Sequence, residues 1–178
     1  MSKETRRLFF ALDLSDAHNA ASRDAIVGLK RQLAPQGRPV PDDNLHITLA
    51  FLGEVDSKAY RRLCETADTL TCPPLSLITT QTGYFPAQSI LWLGIAENTA
   101  LRLLAEKLQS AAAEILNRPA EHKFVPHISL LRRAKPTEAP LTLQQPLHFQ
   151  RVGIYASVPL EEGHGVRYQC LNHWTLTD

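Results

Sequence analysis

Two short stretches decide how this chain is read: His46-Ile47-Thr48-Leu49 and His127-Ile128-Ser129-Leu130. Each runs histidine, aliphatic, hydroxyl, aliphatic, a period of two that predicts a β-strand. Side chains at i and i+2 of a strand share a face. His46 and Thr48 therefore point one way while Ile47 and Leu49 enter a core, and His127 and Ser129 repeat the arrangement. The copies lie 81 residues apart in a chain of 178. That spacing predicts two similar lobes, each giving its histidine strand to a shared cleft. The other histidines, His18, His122, His148, His164 and His173, stand in no such context.

Outward from these strands the pattern alternates. Residues 7–14 (RLFFALDL) read as a strand and 17–33 as a helix after the Ser15-Asp16 cap. Pro35, Gly37, Pro39 and Pro41 predict a loop before the strand 44–53 (NLHITLAFLG). A helix is predicted over 57–70, strands over 74–82 and 90–96, and a helix over 100–116 with apolar residues at helical spacing. The second histidine strand covers 124–131, and strands over 141–149, 151–158 and 166–176 close the chain. Strands and helices mix without a strict βαβ rhythm, so the expected class is α+β with antiparallel sheet.

Composition excludes several functions. Hydrophobic residues make up 44% and charged residues 21%, as in an ordinary globular protein. The formal net charge is +1, so no global field draws the chain to nucleic acid and anion recognition must be local. Cys64, Cys72 and Cys170 are odd in number and form no Cys-x-x-Cys pair. They read as packing residues in a reducing compartment, with the cytoplasm as the expected location. No apolar run approaches the ~20 residues that span a bilayer, and the polar start predicts no signal peptide. No glycine-rich phosphate loop occurs, so ATP binding has no support.

The paired motif points to acid–base chemistry. Imidazole titrates near neutrality, so one ring can accept a proton while the other donates one. Thr48 and Ser129 supply hydroxyls for non-bridging phosphate oxygens. A metal reading would join His122, His127 and His46. No carboxylate sits at ligand spacing within the motifs and no His-Glu-x-x-His occurs, so no metal and no cofactor are expected. Arg132 and Arg133 follow the second motif, and one of them is expected to clamp phosphate. Simple alternation puts Arg133 on the histidine face and Arg132 away from it, an order that a bulge reverses. Phe9, Phe10, Tyr84, Phe85 and Trp92 read mainly as core, with one of them available to stack on a base. The pairs Arg6-Arg7 and Lys30-Arg31 read as solvated faces.

The blocks RLFFALDL, NLHITLAFLG and FVPHISLLR, together with the paired motifs, resemble the LigT-like branch of the two-histidine phosphoesterase superfamily over essentially the whole chain. That branch comprises RNA 2′,3′-cyclic phosphodiesterases first described as 2′-5′ RNA ligases. The resemblance implies one bilobal domain over residues 1–178, with two pseudo-symmetric lobes of antiparallel sheet and packed helices around a central cleft. It implies metal-free hydrolysis of RNA 2′,3′-cyclic phosphate ends to 2′-phosphomonoesters, with reversible 2′-5′ ligation of RNA ends, including tRNA halves. Carried onto this sequence, His46 and His127 become the acid–base pair, and Thr48 and Ser129 the phosphate binders. The family often has Thr in both hydroxyl positions, and Ser129 keeps the hydroxyl. A basic residue five after the second histidine is typical, which selects Arg132. Because a 2′-phosphate product releases the 3′-oxygen, His46 is assigned as the acid and His127 as the base. A monomer is expected. Two other readings remain: an RNA-end binding module without turnover, and a phosphoesterase for a small cyclic nucleotide or 2′-5′ oligoadenylate.

Overall fold

A computed structural model describes residues 4–120, 123–163 and 165–178, so His122 and His164 lie outside the described residues. The chain opens with β1 (Thr5–Asp13). A 3-10 turn over Ala17–Asn19, capped by the Asp16 carboxylate accepting from the His18 amide, leads into α1 (Ala20–Leu33). β2 (Arg38–Pro39) and β3 (His46–Asp56) follow. The Asp56 carboxylate accepts from the Ala59 amide and starts α2 (Ser57–Ala67). β4 (Leu75–Phe85) and β5 (Ile90–Ile95) form a hairpin. Asn98 then caps α3 (Thr99–Ile115) by accepting from the Leu101 amide, as its short side chain favours. β6 (His127–Arg132), β7 (Pro146–Phe149), β8 (Arg151–Pro159) and β9 (Val166–Thr175) complete the chain.

The strands form an antiparallel sheet in the order β7-β4-β5-β6-β3-β1-β8-β9, with β2 added against β6. The fold is therefore α+β. The order is symmetric about the seam between β6 and β3. On one side β1-α1-β3 brings two antiparallel neighbours together around a helix, and on the other β5-α3-β6 does the same. At the seam Ile47 faces Ile128, both with no exposed surface. Antiparallel register then sets His46 opposite Ser129 and Thr48 opposite His127. The inward face of these strands packs with Ile26, Leu29, Leu104 and Leu108 of the helices in one continuous core. The histidines occupy the opposite face.

Four expectations are corrected. The proline-rich stretch before β3 is a loop only in part: Arg38 and Pro39 pair with Arg132 and Leu131. Gly37 permits this approach, since a Cβ there would lie 2.7 Å from Ala134 Cα and 2.9 Å from the Arg132 carbonyl oxygen. The strand expected over 141–149 is regular only from Pro146. Upstream, the Leu141 and Gln145 amides donate to the hydroxyls of Thr82 and Thr79, which interrupt the backbone ladder. Lys30 is 3% exposed rather than solvated, and its ammonium donates to the Val40 carbonyl and to Asp42. It ties α1 to the segment that enters β3. Of the cysteines, Cys72 is buried as expected, whereas Cys170 is exposed.

Candidate active site

Each motif histidine is locked by the same local contact. His46 Nδ1 lies 2.6 Å from the Asn44 carbonyl oxygen and His127 Nδ1 lies 2.7 Å from the Val125 carbonyl oxygen, in both cases two residues back. A carbonyl only accepts, so both Nδ1 atoms carry the hydrogen and both Nε2 atoms are left for chemistry. His46 Nε2 is 2.8 Å from Thr48 Oγ1, which places that hydroxyl where an incoming oxyanion meets the ring. Asn44 was not visible as a site residue in the sequence. It is 6% exposed, its amide donates to the Val166 carbonyl, and its side-chain oxygen accepts from the Tyr168 amide. The carbonyl that orients His46 is thus pinned to β9.

The alternation problem at Arg132 is settled by a bulge. Trp92 pairs with Ser129 but Leu91 pairs with Leu131, so Leu130 is an extra residue on β6. Leu130 and Leu131 are both fully buried, and Arg132 returns to the histidine face. Its positive charge lowers the proton affinity of both His46 and His127. Arg133 follows in a left-handed conformation with φ 48°, which ends the strand. β3 has the equivalent irregularity: Phe10 pairs with Ala50 and Ala11 with Thr48, leaving Leu49 as the extra residue. The two motif strands therefore bulge at the same offset from their histidines.

Aromatic rings flank both imidazoles. Phe9 lies 5.0 Å and Tyr168 5.1 Å from the His46 ring centre, and Phe85 lies 4.9 Å and Trp92 5.9 Å from that of His127. Phe10 is core, as expected, while Tyr84 donates to the Ala134 carbonyl. Tyr168, distant in sequence and outside any motif, was missed. A cleft of about 1020 Å³ opens over His46, Thr48 and Arg132. His127 and Ser129 are half-buried outside its lining, with His127 against Phe85 and Trp92. Arg6, Arg7, Arg38 and Arg133 also line the cleft. Arg6 and Arg7 are exposed as expected, and each also meets a ring: Arg6 stands 5.2 Å from the Tyr60 ring centre and Arg7 5.0 Å from that of Phe51. A chain of formal net charge +1 gathers five guanidinium groups in one cavity. Among the described residues, no group of three or more His, Cys, Asp or Glu is placed to hold a metal ion.

Burial is the main influence on both imidazoles. It pushes His46 from 6.5 down to about 4, with the Asn44 carbonyl contact opposing and the charges of Arg132 and His127 reinforcing it. Asp13, across the ladder from His46, favours the protonated ring. His127 is likewise lowered by burial and by Arg132, against the Val125 carbonyl contact. Both rings are therefore neutral in the free protein at pH 7, and the unfolded chain binds more protons than the folded one between pH 6.5 and 4. Stability should fall as pH falls across that window, and His46, titrating at about 4 rather than 6.5, should account for about 2–3 kcal/mol of the loss between pH 7 and 4.5. Asp42, held below 3.8 chiefly by the hydrogen bond from Lys30, contributes only at lower pH. Urea unfolding of wild type and His46→Gln at the two pH values checks this, since the variant should lose less. Equal losses would show that His46 is not held neutral by the fold.

This α+β sheet, with two His-x-[Ser/Thr]-x strands paired across a pseudo-twofold seam, has the architecture of a two-histidine phosphoesterase. Comparison with known proteins gives the same result. Residues 17–168 match the family model described as the 2′-5′ RNA ligase superfamily. The chain is 35% identical over 179 residues to the RNA 2′,3′-cyclic phosphodiesterase of Escherichia coli, covering 98% of each protein. It is 34% identical over 143 residues to the enzyme of that name from Thermus thermophilus, covering 73% of this chain and 70% of that protein. The crystal structure of E. coli LigT in apo form superposes with a TM-score of 0.86 at 32% identity, covering 99% of this chain and all of that one. The chain belongs to the 2′-5′ RNA ligase superfamily.

Proposed function

We propose that the chain, as one bilobal domain over residues 1–178, hydrolyses RNA 2′,3′-cyclic phosphate ends to 2′-phosphomonoesters by metal-independent acid–base catalysis. The observation that carries this reading is the matched lock on the two histidines. Each Nδ1–H is spent on a carbonyl two residues back, leaving each Nε2 for proton transfer. An acid and a base on one face, with hydroxyls between them and a guanidinium lining the same cleft, suit an in-line displacement at phosphorus.

Thr48, Ser129 and Arg132 hold the non-bridging oxygens of the cyclic phosphate. His127 takes a proton from water as the water oxygen bonds to phosphorus. The bond from phosphorus to the 3′-oxygen breaks, and His46 delivers its Nε2 proton to that oxygen. The product carries a 2′-phosphate and a 3′-hydroxyl. Burial leaves His46 neutral in the free protein, and the anionic phosphate, with Asp13 behind the ring, favours its protonated form in the complex. With the 5′-hydroxyl of a second RNA in place of water, the same transfers give a 2′-5′ phosphodiester, and cleavage of that bond swaps the two roles. The reading places the protein in the cytoplasm as a monomer acting on RNA ends, tRNA halves among them. The free cysteines fit a reducing compartment, and no described helix is long and apolar enough to cross a membrane.

The test is an RNA oligomer ending in a 2′,3′-cyclic phosphate, incubated with the protein in EDTA and followed by phosphorus NMR. A 2′-phosphate as the sole product is expected. A 3′-phosphate product would invert the assigned geometry. Turnover of a cyclic mononucleotide without turnover of the oligomer would move the substrate to small nucleotides, and turnover of neither would leave a binding module.

A further inference from the structure

The pseudo-symmetry of the two motif strands has a feature that the catalytic reading leaves unused. On β6 the bulge at Leu130 returns the fifth residue after the histidine, Arg132, to the cleft face. On β3 the bulge at Leu49 does the same for the fifth residue after its histidine, and that residue is Phe51. Phe51 is 39% exposed and lines the cleft, although the strand around it buries Leu49, Ala50 and Leu52 to 2% or less. What distinguishes this exposed ring is its place in the cleft and the backbone arranged to hold it there.

The exposure is built in by several groups. Gln109 of α3, itself 8% exposed, donates to the Leu49 carbonyl at 2.8 Å, satisfying the first bulge. A second register shift falls between Phe51 and Gly53, where Gly53 takes φ 71°, a conformation that favours glycine. The Arg118 guanidinium donates to the carbonyls of both Phe51 and Leu52. Over the ring stands Arg7, its guanidinium carbon 5.0 Å from the ring centre. Stacking on the ring leaves guanidinium N–H groups at its edge for an anion.

We propose that Phe51 and Arg7 form a platform for the RNA strand just 5′ of the reacting end, with Phe51 stacking a base and Arg7 holding a backbone phosphate. This rests on the RNA reading above and deepens it. The hydrolysed bond leaves through the 3′-oxygen of the terminal nucleotide itself, so the only polymer attached is on the 5′ side. Phe51 pairs with Phe9 and Thr48 with Ala11, so the bulge leaves them two strand positions apart, about 7 Å at ~3.3 Å per residue, beyond the reacting phosphate but inside the same cleft. An aromatic face beside a guanidinium is the sequence-tolerant way to hold single-stranded nucleic acid. Glu54 and Thr5, hydrogen-bonded to each other at 2.8 Å, also line this part of the cleft and bring one opposing charge.

The experiment compares wild type, Phe51→Ala, Phe51→Trp and Arg7→Ala in two assays. The first is hydrolysis of a 2′,3′-cyclic mononucleotide against a short RNA with the same end. The second is fluorescence anisotropy with a labelled RNA ending in a 2′-phosphate, which requires no turnover. Phe51→Ala and Arg7→Ala should lose tenfold or more in kcat/KM on the oligomer and stay within twofold on the mononucleotide, while Phe51→Trp retains oligomer activity. In binding, both alanine variants should be weaker. Arg7→Ala should lower the slope of log affinity against log salt by about 0.7, one released counterion on a single strand, and Phe51→Ala should leave it unchanged. Equal losses on both substrates, or none on the oligomer, would overturn the platform with the enzyme reading intact. If no substrate turns over, anisotropy decides alone: losses in both variants keep the platform and remove the enzyme, and unchanged affinity removes both.

Discussion

His46→Ala and His127→Ala should each lower kcat on an RNA 2′,3′-cyclic phosphate end by 100-fold or more, within the roughly 10²–10⁴ that one general acid or base supplies. The size of the effect follows from the geometry. Each ring is fixed by its Nδ1 contact at 2.6 or 2.7 Å, and alanine leaves a backbone carbonyl and an empty wall of the cleft with no group to move the proton. Water can fill the space but does not arrive oriented. The double variant should cost little more than either single one, because acid and base act in the same displacement and removing one already disables the other. Affinity for an RNA bearing the product 2′-phosphate should stay within a few-fold in both variants, since Thr48, Ser129 and Arg132 remain. Stopped kinetics with retained binding is what an enzyme predicts. A binding module predicts neither a rate to lose nor a dependence on the histidines, and turnover unchanged by both substitutions would remove the acid–base assignment.

The histidine strands were legible because their information is local. A period of two, a histidine and a hydroxyl two apart suffice to put both groups on one face, and the duplication at half the chain length suffices to suggest two halves. The helices were legible for the same reason: Asp56 and Asn98 sit at helix starts and make the cap bonds that their short side chains favour. What escaped was whatever depends on a break in regular geometry. Alternation from His127 sends Arg132 to the wrong face because it counts Leu130 as an ordinary strand residue, and the register with β5 is what makes it an insertion. Phe51 was hidden in the same way behind Leu49. Asn44 and Tyr168 were illegible for a different reason, since their contact with each other joins segments 124 residues apart and no periodicity reports it. Lys30 shows the limit of charge as a guide to exposure. Its stem lies on a helix face that packs inward, and a carbonyl and a carboxylate at the end of that stem make burial tolerable.

Arg132→Ala should lower kcat/KM about 10²-fold, the scale on which a donor aimed at developing charge acts, and should also move the pH profile. The two effects come from different properties of the same group. The planar fork of donors holds phosphate oxygens, whereas the net charge lowers the proton affinity of both imidazoles. Since kcat/KM reports groups of the free protein, and both histidines there titrate below 6.5, the active window of the wild type lies on the acid side. Removing a positive charge raises both values, so the profile of Arg132→Ala should shift toward higher pH. Arg132→Lys separates the causes. It keeps the charge and with it the pH profile, but loses the bidentate geometry, so it should recover only part of the rate. Proton NMR titration of the two imidazoles in the three proteins gives an independent reading: both should titrate higher in Arg132→Ala and stay in place in Arg132→Lys. Unchanged titration in Arg132→Ala, with the larger rate loss in Arg133→Ala, would mean that the strand alternates past Leu130 after all and that the second arginine is the one facing the phosphate.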